Sequence, residues 1–341
     1  MSFVVFSDPI FRKHKPEPPH PESPARLEKL EQVLQEDPPA GVEMKFCGRA
    51  ATADELLLVH TDRLMEQVAA TSLQPYTMLD ADTYATADSA FIARTAAGTL
   101  LHAVDLAAGK PDLRVFTLVR PPGHHAERDR AMGFCLFNNI ALAAEYAVRK
   151  HGVKRVAIYD FDLHHGNGTQ EIFYERPDVL YVSHHQAPFY PGTGDWKETG
   201  RGDGVGATVN CPLPKEAGDS ELLGLWDSIL QPAFEQFKPE LFLVSAGYDS
   251  HAADPLGNLR ITDEGFTQLS LRIEHLARKL SAPVVYTIEG GYNPDVVASG
   301  VLSTISSHTT PETAIQSPTP TPVGMELITQ ARKTFGSFFQ L

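Results

Sequence analysis

The chain has 341 residues, 42% of them hydrophobic, which is compatible with one large α/β domain or two smaller ones around a sizeable core. Its 29 basic and 43 acidic residues give a net charge of −14, which argues against non-specific nucleic-acid binding because that binding needs a basic face. The amino terminus lacks the pattern of a signal peptide, no apolar stretch reaches the ~18 residues of a membrane-spanning helix, and three scattered cysteines favour a reducing compartment. We therefore expect a cytoplasmic protein that binds neither membranes nor nucleic acid.

Apolar runs with strand character alternate with helix-like segments along the chain. In chain order the sequence predicts a strand at 3–6, helices at 24–35, 53–70 and 89–108, a strand at 115–119, a helix at 138–150, strands at 155–160 and 179–183, a helix at 220–237, a strand at 241–246, a helix at 263–280 and a strand at 284–289. Such alternation is typical of βαβ units, and near-continuous apolar strands are covered on both faces. We expect a single α/β domain with a mostly parallel β-sheet flanked by helices on both faces.

Long loops rich in glycine and proline connect these elements, and long loops in a compact domain are often functional. They lie at 8–24, 120–136, 184–218 and 249–262. Residues 1–302 are predicted to form the main domain, and residues 303–323, rich in Ser, Thr and Pro, predict an irregular linker. Residues 324–341 have apolar residues at helical spacing. We expect this last helix to dock on the domain, with the subunit interface of a homo-oligomer as the alternative.

A cluster of acidic and histidine residues directly follows the strand predicted at 155–160. Buried charges cost several kcal/mol unless they are paired or bound to metal, so this cluster would destabilise a hydrophobic core. Asp162 and His164 are two residues apart and can point to the same side of an extended chain. Asp249 follows another strand end, and strand ends meet at one edge of a parallel sheet. Two carboxylates and an imidazole are good zinc ligands, so these three residues form a candidate metal triad, with a polar cluster as the alternative.

His124 and His125 follow the strand at 115–119 on a Pro-Pro-Gly turn. One imidazole could accept a proton from an attacking water molecule while the other stays charged. Asp160 is the natural partner to orient one of them, and Asn167 could be a neutral, weaker partner for the other. The alternative is a pair of surface histidines.

Aromatic residues on the same loops could complete an active site. Tyr292, after two glycines, could donate its phenol proton to a carbonyl oxygen and stabilise an oxyanion. Phe134, after Gly133, and Tyr190 could form the walls of a narrow channel for an extended, apolar substrate. Ordinary packing explains these two aromatic residues equally well.

The order and chemistry of these motifs resemble the histone deacetylase superfamily and its arginase–deacetylase fold, from about Asp8 to Asn293. The motifs are His20-Pro-Glu-Ser-Pro-Ala-Arg26, Pro121-Pro-Gly-His-His125, Gly133-Phe-Cys135, Asp160-Phe-Asp-Leu-His-His-Gly-Asn-Gly168, Tyr190-Pro-Gly-Thr-Gly194, Gly247-Tyr-Asp249, Asp254-Pro-Leu-Gly257 and Glu289-Gly-Gly-Tyr292. Asn167 and the Asp254–Gly257 motif are similar to those of class II members. The length resembles that of compact bacterial amidohydrolases of this superfamily.

The resemblance implies two metal sites. Zinc, or ferrous iron in the cell, would be held by Asp162, His164 and Asp249. A structural potassium ion would be held near the zinc by the residues Asp160, Asp162, His164, Ser183 and His184, the first three through their backbone carbonyl groups.

The resemblance also implies catalytic roles. His125 would act as general base and then as general acid, with His124 as its electrostatic neighbour. Asp160 would hold His124, and Asn167 would hold His125. Tyr292 would polarise the scissile carbonyl group.

The substrate implied by the resemblance is an acetylated (acylated) amine. Phe134 and Tyr190, with Gly133 and Leu256, would line an acyl-lysine channel. Polyamine-specific relatives can place an acidic residue in the loop where this chain has Leu256, so the resemblance favours an acetyl-lysine peptide or protein. An acetylated polyamine is the alternative substrate. A non-catalytic module that binds acetyl-lysine, and a two-metal enzyme similar to arginase, are alternatives of other classes.

Overall fold

The centre of the protein is a parallel β-sheet. In this computed structural model, which describes residues 2–16, 19–310 and 313–341, eight strands form this sheet: β1 (Ser2–Ser7), β2 (Val42–Lys45), β5 (Leu113–Leu118), β6 (Val156–Asp160), β7 (Val179–Gln186), β8 (Thr208–Leu213), β9 (Leu241–Ala246) and β10 (Val284–Ile288). Strands β3 (Tyr76–Met78) and β4 (Tyr84–Thr86) form a separate two-stranded antiparallel sheet. Residue 1 of the predicted domain, residues 17 and 18 of the predicted loop 8–24 and residues 311 and 312 of the predicted linker lie outside the described residues.

Helices cover both faces of this sheet. They are α1 (Ala25–Glu36), α2 (Ala53–Leu56), α3 (Asp62–Ala70), α4 (Ser89–Ala107), α5 (Asn139–His151), α6 (Asn167–Phe173), α7 (Asp219–Leu225), α8 (Gln231–Phe237), α9 (Asp263–Leu280), α10 (Pro294–Thr309) and α11 (Pro322–Phe335). Alternate residues of β1 enter different cores: Phe3 and Val5 pack with α1, α9 and α10, whereas Val4 and Phe6 pack with α4 and α5. Burial on both faces explains why the strands are almost continuously apolar.

The strand order of the large sheet is β2-β1-β5-β10-β9-β6-β7-β8, and its neighbouring strands are parallel. This confirms the predicted mostly parallel sheet flanked by helices. The strands whose ends carry the sequence motifs, β5, β10, β9 and β6, are direct neighbours at the centre. Their carboxyl ends therefore bring four motif-bearing loops to one place.

Strand β8 lies inside the segment 184–218, which was predicted to be a loop; that prediction was wrong. Pro212 weakens the strand signal of this segment, and it is tolerated because β8 is an edge strand that pairs only with β7 in the described sheet. The helix predicted at 53–70 is two helices, because the side chain of Thr61 caps a new helix by accepting a hydrogen bond from the backbone N–H of Leu64.

The predicted linker also begins too early at residue 303, since α10 continues to Thr309. Its hydroxyl groups bond to carbonyl groups one turn earlier, as Ser307 Oγ does to the oxygen of Ser303 at 2.8 Å. A composition rich in Ser and Thr is therefore accommodated inside a helix. Helix α11 lies against the domain with the side chains of Ala331 and Phe335 buried. Among the described residues we find no helix with the length and apolar character needed to cross a membrane.

Candidate metal centre and active site

The candidate metal triad is assembled from two neighbouring strand ends. Asp162 and His164 follow β6, and Asp249 follows β9. One ligand atom from each of the three residues lies within 4.8 Å of the others. Nδ1 of His164 is 3.1 Å from Oδ1 of Asp162 and 3.2 Å from Oδ2 of Asp249. The structure thus brings together the three residues that the sequence singled out as ligands.

Hydrogen bonds fix the two carboxylates but leave one oxygen, which faces Nδ1 of His164, without a hydrogen bond. Asp162 Oδ2 accepts from the backbone N–H of Gly290 at 2.7 Å, and Asp249 Oδ1 accepts from that of Leu163 at 3.0 Å. Asp249 Oδ2 is buried and has no hydrogen-bond partner among the described residues. A buried carboxylate oxygen without a donor is costly unless a cation lies beside it. Two carboxylates and one imidazole therefore fit a divalent cation such as zinc.

Glycines allow the loops to approach the triad closely. A Cβ atom at Gly290 would lie 2.2 Å from Asp249 Oδ2, and one at Gly247 would lie 2.0 Å from Asp162 Oδ2. No side chain fits at either distance. The glycines of the Gly247-Tyr-Asp249 and Glu289-Gly-Gly-Tyr292 motifs are thus explained by the space that the carboxylates occupy.

The two histidines of the Pro-Pro-Gly turn have different partners. Nδ1 of His124 lies 3.1 Å from Asp160 Oδ2, and Nδ1 of His125 lies 2.8 Å from Asn167 Oδ1. The Nδ2 group of Asn167 donates to Glu127 Oε1 at 2.8 Å, so Oδ1 faces His125 as an acceptor. Nδ1 of His125 then carries the proton, and its Nε2 is left as the basic atom.

These partners separate the pKa values of the two imidazoles. Burial lowers the pKa of His124, but the charges of Asp160 and Asp162 outweigh burial and raise that pKa to about 10. Burial lowers the pKa of His125 well below its usual value, and the neighbouring charge of His124 lowers it further. The ring centres of His124 and His125 are 4.0 Å apart. At neutral pH one imidazole is therefore charged and the other is neutral.

Glu289 is a buried site residue that the sequence interpretation left without a role. Its Oε2 accepts from the backbone N–H groups of Gly123 at 2.7 Å and His124 at 3.2 Å, and its Oε1 accepts from Ser245 Oγ at 3.0 Å. Burial raises the pKa of Glu289 to about 7, although the charge of His124 opposes this. Its carboxylate ties the histidine turn to β9 and β10. The available signal was an acidic residue directly after a buried strand.

Arg26 was also missed, and it holds the loop that carries Tyr292. Its Nε donates to the carbonyl oxygen of Gly291 at 2.6 Å, and its Nη2 donates to that of Glu289. Its guanidinium lies 5.1 Å from the centre of the Tyr292 ring. Burial and the charge of Asp249 raise the pKa of Tyr292 well above its usual value. The phenol therefore keeps its proton and can donate a hydrogen bond.

The predicted channel residues lie around the triad. Phe134 contacts Tyr292 edge to face at 5.8 Å, and Tyr190 contacts His125 edge to face at 5.2 Å, both measured between ring centres. A Cβ atom at Gly133 would lie 2.4 Å from Cδ2 of His125, so a glycine is required there. Leu256 is partly buried, in the loop that follows Asp249.

The residues of the predicted potassium site lie on adjacent strand ends. Asp160 of β6 is in register with Ser183 of β7. His184 is buried, and its Nδ1 lies 2.9 Å from the hydroxyl group of Tyr159. Potassium binding by these residues, together with Asp162 and His164, stays a prediction.

Comparison with known proteins shows the family of the chain. The family model of the histone deacetylase domain matches residues 20–308. The chain belongs to the histone deacetylase family. It is 36% identical over 345 residues to a probable deacetylase of the archaeon Methanothermobacter thermautotrophicus, covering 98% of this chain and 99% of the relative. It is 50% identical over 196 residues to the chloroplastic histone deacetylase 10 of rice, covering 57% of this chain but only 44% of the rice protein.

A solved histone deacetylase structure shares the architecture. The crystal structure of the HDA15 HD domain superimposes with a TM-score of 0.90 at 34% sequence identity, covering 99% of this chain and 96% of that chain. The single domain, with its eight-stranded parallel sheet and flanking helices, therefore has the arginase–deacetylase fold, as predicted.

Proposed function

We propose that this histone deacetylase family member is a metal-dependent amidohydrolase that removes an acetyl group from acetyl-lysine in a peptide or protein. The observation that carries the proposal is the buried Asp–His–Asp triad, in which Oδ2 of Asp249 lies 3.2 Å from Nδ1 of His164 but accepts no hydrogen bond from the described residues. A histidine pair with separated pKa values and a protonated tyrosine surround this triad. Relatives described as deacetylases support the reaction class.

The proposed reaction uses each residue at a defined atom. When bound by Asp162, His164 and Asp249, a divalent cation such as zinc would polarise the amide carbonyl and make a water molecule more acidic. His125, neutral at pH 7, accepts the proton of the attacking water on Nε2 and then delivers a proton to the leaving amine. The phenol of Tyr292 donates to the carbonyl oxygen as negative charge develops there.

The remaining site residues support this chemistry. His124, held charged by Asp160, keeps His125 neutral and favours negative charge nearby. We propose that Phe134 and Tyr190 are the walls of the acyl-lysine channel. A structural potassium ion bound by residues at the ends of β6 and β7 would stabilise the loop that carries Asp162 and His164.

An acetylated polyamine is the second candidate substrate, because the net charge of −14 favours a cationic ligand. Leu256 argues against it, since this apolar side chain stands where an acidic residue would recognise a distal ammonium group. The test compares turnover of an acetyl-lysine peptide and of N-acetylputrescine by the zinc-loaded enzyme, with a hydroxamate inhibitor as control. We expect hydroxamate-sensitive turnover of the peptide. Preference for N-acetylputrescine would overturn the substrate assignment, and turnover of neither would contradict deacetylase activity on these amines.

A further inference from the structure

Asp254 is a buried carboxylate that the proposed chemistry does not use. It lies in the turn after the third candidate ligand, Asp249, and only 6% of its surface is exposed. In the described part of the chain it forms no ion pair with a basic side chain. A carboxylate buried without a cation needs strong hydrogen bonds, and these identify what the side chain does.

The hydrogen bonds of Asp254 go to the backbone of two loops. Its Oδ2 accepts from the N–H group of Tyr292 at 2.6 Å and from that of Asn293 at 3.2 Å. Its Oδ1 accepts from the N–H group of Leu256 at 2.9 Å. The Asp254 carboxylate therefore connects the backbone of Tyr292, the candidate oxyanion donor, to the turn that carries Leu256, a predicted channel residue.

Backbone hydrogen bonds and ring contacts hold Tyr292. Its phenol oxygen has no hydrogen bond among the described residues, so the location of the phenol is set by its backbone and by ring packing. Arg26 holds the preceding carbonyl group, that of Gly291, from the other side of the loop. Asp254 and Arg26 together fix the main chain immediately before and at Tyr292. A displacement of about 1 Å at a catalytic group can lower a rate by about 10²-fold.

We propose that Asp254 is a positioning residue that places Tyr292 for donation to the substrate carbonyl oxygen. The proposal rests on the proposed deacetylase function. A positioning residue can be distinguished from a purely structural one by the effect of its loss. Loss of Asp254 should impair the catalytic step that needs the Tyr292 phenol and leave substrate binding nearly intact.

The test is a comparison of Asp254→Ala with the wild type on acetyl-lysine and trifluoroacetyl-lysine peptides. We expect kcat for the acetyl peptide to fall about 30-fold or more with KM changed less than about threefold. The trifluoroacetyl carbonyl is electron-poor, so its hydrolysis depends less on a hydrogen bond donated to the carbonyl oxygen. We therefore expect kcat for the trifluoroacetyl peptide to fall much less. In a Tyr292→Phe background, Asp254→Ala should lower kcat for the acetyl peptide only slightly further, because Asp254 acts through the Tyr292 phenol, which is already absent. Asp254→Asn, which keeps one acceptor oxygen, recovers part of the activity.

Asn293→Ser is the matched control. It removes the bond from Asn293 Nδ2 to the carbonyl oxygen of Ala253, 3.0 Å long, which joins the same two loops without touching Tyr292. It keeps a side-chain oxygen that can cap α10. We expect nearly wild-type kcat for both peptides.

The positioning role would be overturned if Asp254→Ala lowered kcat equally for the two peptides. It would also be overturned if the kcat losses of Asp254→Ala and Tyr292→Phe multiplied in the double variant. Crystal structures of both variants provide a readout that does not depend on turnover, and we expect the Tyr292 backbone to move only in Asp254→Ala. An unmoved Tyr292 would also overturn the role. A wild-type enzyme that turns over neither peptide would refute the proposed function, while the crystal structures would still decide the positioning.

Discussion

Nδ1 of His125 lies 2.8 Å from the side-chain oxygen of Asn167. This neutral partner orients the imidazole without adding the charge that would raise its pKa. The adjacent His124 faces a carboxylate instead and has a pKa of about 10. The difference between an amide and a carboxylate partner therefore assigns a neutral base and a charged neighbour to two consecutive histidines.

Asn167→Asp is expected to move the acid limb of the pH profile of kcat/KM to higher pH by about one unit or more. The new carboxylate raises the pKa of His125, so a larger fraction of the base is protonated and inactive at a given pH. Glu127→Gln, which keeps an acceptor for Asn167 Nδ2, is the control and should leave the limb in place. An unchanged acid limb in Asn167→Asp would contradict the assignment of His125 as the base.

Asp160→Asn is expected to lower stability in a pH-dependent way. The folded-state pKa of His124 is raised to about 10 from an ordinary value of 6.5, so its pairing contributes fully below pH 6.5 and is lost as pH rises through 10. The loss in unfolding free energy should be about 3–5 kcal/mol at pH 6 and much smaller near pH 10. Urea unfolding of both metal-free proteins as a function of pH measures this loss. A loss that does not change with pH would mean that His124 is not held charged.

Glu22→Gln is expected to destabilise the fold by about 3–5 kcal/mol, because it leaves buried guanidinium groups without their counter-charge. Glu22 is fully buried, and its oxygens accept from Arg120 Nε at 2.5 Å and from Arg26 Nη1 at 3.1 Å. The control is Glu175→Gln, which breaks an exposed pair with Arg201 and should cost less than about 1 kcal/mol. Urea unfolding compares them, and similar losses for the two variants would show that the buried cluster is not stabilising.

Leu256→Glu is expected to shift preference toward N-acetylputrescine. The added carboxylate would pair with the distal ammonium group of the polyamine, and one such pair in a partly buried site is worth roughly tenfold or more in relative kcat/KM. Leu256→Gln has the same size without the charge and should show a much smaller shift. The ratio of kcat/KM for the polyamine and the peptide measures the effect. An unchanged ratio would mean that Leu256 does not determine the substrate preference.

Much of the candidate site could be predicted from the sequence because four motifs directly follow four buried strands. Those strands are neighbours in the sheet, so residues as distant as Asp162 and Asp249 come together without any further information. The pairings of His124 with Asp160 and of His125 with Asn167 were expected and are present in the structure.

Long-range supports of the site could not be read from local patterns. Arg26 bonds to carbonyl groups more than 260 positions away, and Glu289 bonds to the turn before His124 across more than 160 positions. Neither contact follows from periodicity or spacing. Strand β8 and the end of α10 were missed because a proline and a Ser/Thr-rich composition predict irregular structure, whereas the edge of a sheet and backbone-bonded hydroxyl groups tolerate them.

The most direct test of the account is a zinc titration of chelator-treated enzyme, with acetate release from an acetyl-lysine peptide and bound metal measured together. We expect no activity without metal, a rise to a plateau at one zinc ion per chain, and neither tight binding nor activity in Asp249→Asn. Full activity of the metal-free enzyme, or a plateau only at two ions per chain, would contradict a single-metal deacetylase centre built from Asp162, His164 and Asp249.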